Sequence, residues 1–262
     1  MTNDIPHARR DVIAARLASG QSVNAGALAS EFNISEDAIR RDLRALAAAG
    51  LCRRVYGGAL PLSPGTTPVS HRLGTGVNRK RALAQAAMPM VAPGSFIFLD
   101  NGSTSLIVAQ ELPRDVDLIV ATSSIEIAAA LVARGDVHIH MVGGTIDSVI
   151  GGSIDGIALE AISRLNIDLC FIGVCTLSAE GGVSALDGAD ATFKRALIAR
   201  SRRTLALVAN EKIGEQAPHR IVDLSAIDHV IIEHDAPDAT ADALRSAGSR
   251  ILRAASSVDQ HP

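Results

Sequence analysis

The chain has 262 residues, enough for one large core or for a small domain joined to a larger one. Hydrophobic residues at 47% and charged residues at 20% fit a globular protein, while 2% aromatics without Trp exclude an aromatic stacking platform for single-stranded nucleic acid. A net charge of -3 excludes a chain that coats nucleic acid along its whole length.

The charge is uneven. Residues 1–60 hold eight arginines and no lysine against six acids, and the remainder holds 17 basic and 22 acidic residues. Cys52, Cys170 and Cys175 are too few and too irregular for a disulfide framework, and no CxxC pair points to zinc. The N-terminus is polar and no apolar run reaches membrane-spanning length, so a cytoplasmic protein without a membrane partner is expected.

Helical spacing of Val12, Ile13 and Leu17 predicts a first helix over His7–Ala18, stopped by Gly20. A short second helix follows over Ala25–Phe32, then a turn at Asn33-Ile34. Ser35 as N-cap, Glu36 and Asp37 in the first turn and Gly50 at the end frame a third helix to about Ala49, with Ile39, Leu43 and Leu46 as its buried stripe. LCRRVYGGAL then reads as a ribbon turning at Gly57-Gly58. Residues 61–77 are rich in Pro, Gly, Ser and Thr, which predicts a linker over about 62–78.

Beyond it, strand-length apolar runs alternate with helical stretches. Strands are read at Phe96–Asp100, Leu118–Thr122, Val137–Gly143, Ile167–Val174, Leu205–Ala209 and Val230–Glu233, and helices at Leu106–Leu112, Ile125–Arg134 and Thr192–Arg202. This predicts an α/β domain over about 79–235 with a mainly parallel sheet, followed by a C-terminal helix and tail over 236–262.

Three short helices, the third of them capped, and a basic ribbon, in this order, predict a helix-turn-helix with its two-helix core at about 23–42. The third helix would enter the major groove of duplex DNA. Ser35, Glu36 and Asp37 lie on its first turn, and Arg40, Arg41 and Arg44 can pair with guanine or phosphate. Arg53, Arg54 and Tyr56 sit on the wing. The plainer reading makes RRDLR a solvated helix face; the order of elements favours DNA binding.

These residues resemble the DeoR family of sugar-metabolism regulators. The resemblance is carried by Val23, Ser35-Glu36, Ile39-Arg40-Arg41-Asp42-Leu43 and Arg54-Val55-Tyr56-Gly57-Gly58-Ala59, with Tyr56 where the family often has His. It implies a winged helix-turn-helix head over about 5–61, with a valine leading the second helix, on a sensor of the ribose-5-phosphate isomerase and CoA-transferase-like fold.

In the second half, strands end in small polar residues: Asp100 running into Gly102-Ser103-Thr104, then Thr122-Ser123-Ser124, then Gly143-Gly144, then Gly173. Each alone reads as a helix cap. Together they make a polar rim beyond the carboxyl ends of strands, where α/β sheets bind ligands and helix N-termini accept anions. Lysine is scarce, at Lys80, Lys194 and Lys212, and a rim lysine can hold a phosphate as a point charge. The resemblance extends to this rim, to Lys194 with Asp190 one turn before it, and to Lys212; it departs at Ser123, where the family has Asn, and at Ala209, where Asp is common. It implies a phosphorylated sugar as effector and a homodimer or homotetramer on operator DNA, acting as a repressor.

The rival is a phosphosugar isomerase-like enzyme carrying a DNA-binding head, with Asp100, Asp187 or Asp190 as base. No acid pair with a lysine stands at motif spacing, and the attached head favours sensing, so no catalytic residue is assigned. No cofactor is expected. His138 and His140 alternate on one strand without a third ligand, so no metal is expected either.

Overall fold

The computed structural model describes residues 6–18, 21–49, 51–60 and 68–256, and the chain divides into two units at Thr67/Pro68. Gly20, Gly50 and residues 61–67 of the expected linker lie outside the described residues.

The first unit contains α1 (Pro6–Ala18), β1 (Val23–Asn24), α2 (Ala25–Phe32), α3 (Glu36–Ala48), β2 (Arg53–Val55) and β3 (Gly58–Leu60). Local chemistry fixes each boundary. The Asn24 side chain accepts from Ala27 N–H at 3.0 Å to start α2, Asn33 in the left-handed region (φ 52°) ends it, and Ser35 Oγ accepts from Ala38 N–H at 3.3 Å to start α3. Ile13, Leu17, Leu28, Ile39, Leu43 and Leu46 form this unit's own core. Two details differ from the sequence reading. Val23 does not lead α2; Asn24 is extended, so Val23 pairs with Ala59 in a three-stranded antiparallel sheet. The wing turns at Tyr56-Gly57, and Gly58 already belongs to β3.

The second unit opens with α4 (Val69–Arg72) and α5 (Val77–Ala87). There follow β4 (Phe96–Leu99), α6 (Ser103–Glu111), β5 (Ile119–Thr122), α7 (Ile125–Arg134), β6 (His138–Met141), β7 (Ile146–Asp147), β8 (Gly152–Ser153) and α8 (Gly156–Ser163). The chain continues through β9 (Leu169–Ile172), β10 (Thr176–Ser178), β11 (Gly182–Ala185), α9 (Gly188–Ala199), β12 (Thr204–Val208), β13 (His219–Val222), β14 (His229–Ile232), α10 (Asp238–Ser246) and β15 (Arg250–Arg253).

Seven strands form one parallel sheet in the order β15-β14-β12-β9-β4-β5-β6. Alternation along the strands sends Phe98, Cys170, Ala206 and Val230 to one face, packed with α8, α9 and α10. Ile97, Leu99, Leu169, Phe171, Leu205 and Ile231 go to the other, packed with α5, α6 and α7. The chain moves outward from β4 through β5 to β6, then returns to β9 on the far side of β4 and proceeds to β15. Strand order therefore reverses between β4 and β9, and at such a reversal the helices leaving adjacent strands diverge to opposite faces and open a crevice.

Two regions depart from the sequence reading. Residues 68–78, expected as linker, carry α4 and the start of α5: Val69 is buried, its N–H donates to Val149 O at 2.9 Å, and a Cβ on Gly151 would collide with its side chain. Residues 250–253, expected as tail, are a seventh sheet strand paired with β14. A smaller antiparallel sheet, β10-β11-β13, was not read from the sequence.

Candidate functional site

On α3 the core takes Ile39, Leu43, Leu46 and also Asp42. Asp42 is buried under α1, where Arg9 meets its Oδ2 at 2.7 Å from both Nε and Nη2 and Arg10 Nε lies 3.5 Å from Oδ1. The acid of the Arg-Arg-Asp run is thus a clamp between α1 and α3. Ser35, Glu36, Asp37, Arg40, Arg41 and Arg44 are all exposed. Arg40 is engaged by Glu36 at 2.7 Å and more loosely by Asp37 at 3.5 Å, whereas Arg41 and Arg44 make no ion pair among the described residues. Arg54 and Tyr56 stand exposed on the wing, and Arg53 lies in β2. One helix face thus offers two unengaged guanidiniums to a polyanion, with the wing presenting Arg54.

In the second unit the crevice at the β4/β9 reversal gathers much of the expected rim. Asp100, directly after β4, is completely buried. Its Oδ1 accepts from Asn101 N–H at 2.8 Å, and its Oδ2 accepts from Gly173 N–H at 2.7 Å and pairs with Lys194 Nζ at 2.9 Å. A side chain at position 173 would press on Asn101 O and Asp100, which is why the loop after β9 has glycine there. Lys194 Nζ also meets Asp190 Oδ1 at 2.5 Å, one helical turn away. Burial disfavours the Lys194 ammonium, but the Asp100 and Asp190 charges outweigh it and raise its pKa. Two of its three donors are thereby committed, leaving one.

Around this triad lie further cations. Lys212 Nζ donates to Val174 O at 2.7 Å, and burial, followed by the nearby Arg72 charge, lowers its pKa to about 8. Burial likewise lowers the pKa of Arg72, which senses Cys175 and Asp190. Lys80 Nζ donates to Arg72 O at 2.8 Å. Sequence reasoning missed Arg72 because it sits in a segment read as linker.

The other rim residues divide. Asn101 Nδ2 donates to Ser123 Oγ at 3.0 Å and so joins the β5 end to the β4 end. The Ser123 carbonyl accepts from Ser153 N–H, and Gly144 faces Ser153 and Asp155. Gly143 has open space where a side chain would be. Gly102 precedes α6, whose first turn carries Ser103 and Thr104 and no side-chain cap, so its N–H groups remain available. Thr122 and Ser124 serve the fold: Thr122 Oγ1 accepts from Ser124 N–H at 3.1 Å, and Ser124 caps α7. Both are buried.

For an isomerase, a free carboxylate must face the substrate. Asp100 has both oxygens committed, Asp190 is held by Lys194, and Asp187 caps α9 through Asp190 N–H at 2.9 Å. His138 and His140 lie exposed on the edge strand β6, His140 edge-on to Phe96.

Residues 9–64 match the DeoR-like helix-turn-helix domain and residues 75–234 the DeoR C terminal sensor domain. The chain belongs to the DeoR family. It is a DNA-binding transcription regulator. It is 31% identical over 211 residues to the glycerol-3-phosphate regulon repressor of Escherichia coli (strain K12), covering 80% of this chain and 84% of that protein. It is 28% identical over 249 residues to a putative aga operon transcriptional repressor of Escherichia coli O157:H7, covering 93% and 92%. A ribose 5-phosphate isomerase A from Methanocaldococcus jannaschii aligns over 52% of this chain and 54% of its own, at 15% identity and a TM-score of 0.39, too slight a likeness to carry an activity across. No helix among the described residues is long and apolar enough to cross a membrane.

Proposed function

We propose that this DeoR-family regulator represses genes of sugar or sugar-derivative catabolism and is released from its operator by a phosphorylated sugar or polyol bound at the β4/β9 crevice. The observation that carries the reading is the charge at that crevice: Arg72, Lys80, Lys194 and Lys212 gather there against the two carboxylates Asp100 and Asp190. These cations, with Glu211 also acting on Lys80 and Lys212, and the uncapped first turn of α6 suit the phosphate of a phosphate monoester. The repressor relatives, one of them named for a glycerol-3-phosphate regulon, support the same class. On this reading Gly102, Ser103, Thr104, Ser123, Gly143, Gly144, Gly173, Lys194 and Lys212 surround the effector. Ser35, Arg41, Arg44, Arg54 and Tyr56 face operator DNA as one copy of a dimer or tetramer on paired half-sites.

Calorimetric titration of the full chain with sugar and polyol phosphates, each beside its unphosphorylated parent, tests the effector class. Binding confined to the phosphorylated member, with loss of operator retention in a gel-shift assay, is expected. Equal binding of the parents would overturn the anion site, and binding without operator release would overturn the regulatory role.

A further inference from the structure

Seven of the eight large apolar side chains that the sensor exposes among the described residues fall within residues 119–157, the segment from β5 to the start of α8 that builds the β6 end of the sheet. The eighth, Leu252, lies on the opposite edge. α7 (IEIAAALVAR) sends Ile127 and Leu131 into the core, while Ile125, Ala129, Val132 and Ala133 form an uncharged outer stripe. Its two charges are spent within the unit. Glu126 accepts from Ser124 Oγ at 3.2 Å, and Arg134 meets Asp136 at 2.8 Å and the carbonyls of Ala109, Leu112 and Pro113. A helix that is apolar on its outer side as well as its inner one belongs in a covered position.

The strand beside it is open in the same way. His138 N–H donates to Leu118 O at 2.9 Å and Val142 N–H to Thr122 O at 2.8 Å, so the backbone groups of Ile139 and Met141 point away from the sheet. Edge strands resist further pairing by carrying charge. β15, the other edge, has Arg250 and Arg253, whereas β6 (HIHM) has no Lys, Arg, Asp or Glu.

We propose that the β6 edge and the outer stripe of α7 are the face through which two copies of this chain join. Two β6 strands related by a twofold axis run antiparallel, which lets Ile139 and Met141 of each copy exchange backbone hydrogen bonds with the other. The uncharged stripe asks no complementary charge of its partner, so it fits itself. A standard interface covers about 800 Å² on each copy. Seven Val, Ile and Met side chains, each 41–69% exposed, with the strand edge and the alanines of α7, are of that order. The inference rests on the reading of the head as one copy of an oligomer on paired half-sites, and adds which sensor face joins the copies.

The test combines light scattering with hydrogen exchange on the full chain. The wild type is expected as a closed dimer or tetramer, with slowed exchange at the amides of Ile139 and Met141. Val132→Glu, alone or with Ile125→Glu, should halve the mass and weaken self-association roughly a hundredfold or more, because each copy would bury an unpaired carboxylate. Both positions are exposed, so circular dichroism should show the sensor still folded. Leu252→Glu, on the guarded edge, should keep the wild-type mass. A monomeric wild type would overturn both the paired-copy reading and this face. An unchanged mass in the folded Val132→Glu, Ile125→Glu double variant would overturn this face alone. So would fast exchange at Ile139 and Met141 in a wild-type oligomer, an arm that needs no variant to fold. Growth in mass without limit as concentration rises would overturn the closed twofold pairing.

Discussion

Arg40, Arg41 and Asp42 are consecutive, yet their surroundings differ. Arg40 is held by Glu36, Asp42 by Arg9 and Arg10, and Arg41 by no ion-pair partner among the described residues. Adjacent helical positions are rotated by about 100°, so a charge run in sequence is split among faces. Arg41→Ala or Arg44→Ala should therefore weaken operator binding and lower the magnitude of its logarithmic salt slope by about one for each DNA phosphate no longer neutralised. An unchanged slope in fluorescence anisotropy would remove that residue from the set facing the DNA backbone. Asp42→Ala should instead unfold the head, because it removes the buried carboxylate that joins α1 to α3, at a cost of about 3–5 kcal/mol. In the sensor, Lys212 carries a pH signature. Its pKa of about 8 lies below the ordinary 10.5, so the ammonium is disfavoured by folding, and stability rises with pH between those values. The proposed anion gains from the ammonium, so its affinity should fall as pH rises from about 7 through 8 to about 9.5. Titration calorimetry of Lys212→Met should show that part of the pH dependence abolished; a wild-type affinity flat across this range would exclude Lys212 from the site.

Elements were legible wherever one local rule sufficed. The cap at Ser35 and the apolar stripe of α3 marked the head, and buried runs such as FIFL and LCFI marked central strands, which have apolar neighbours on both faces. The missed elements depend on distant partners. β10 and β11 are short and mostly small or polar, and they become strands only by pairing with each other and with β13. α4 lies in a Pro-, Gly- and Ser-rich stretch and is held by Val149 and Gly151, far along the chain. β15 alternates exposed Arg250 and Leu252 with half-buried Ile251 and Arg253, the pattern of a sheet edge. The Asp190–Lys194 pair was legible through the family resemblance, but Asp100 as its third member required the sheet. The edge strand gives a direct check. Ile251→Asp should destabilise the sensor by about 2–3 kcal/mol in urea unfolding, whereas Arg250→Ala should stay within about 0.5 kcal/mol. Equal, small effects would return this segment to a tail.

At the scale of the whole molecule, each unit carries its own core: the head around Ile13, Leu28, Ile39 and Leu43, the sensor on the two faces of its seven-stranded sheet. A unit with its own buried core can unfold cooperatively by itself. Scanning calorimetry of the full chain should therefore resolve two transitions, and Asp42→Ala should abolish the one belonging to the head. A phosphorylated effector at a hundredfold excess over its Kd adds about 2.7 kcal/mol to the state that binds it. For a unit of the sensor's size that moves Tm upward by roughly 5–10 °C. The shift should fall on the sensor transition, which survives in Asp42→Ala, and leave the head transition in place. A single transition that moves as a whole would mean that effector energy is spread over both units.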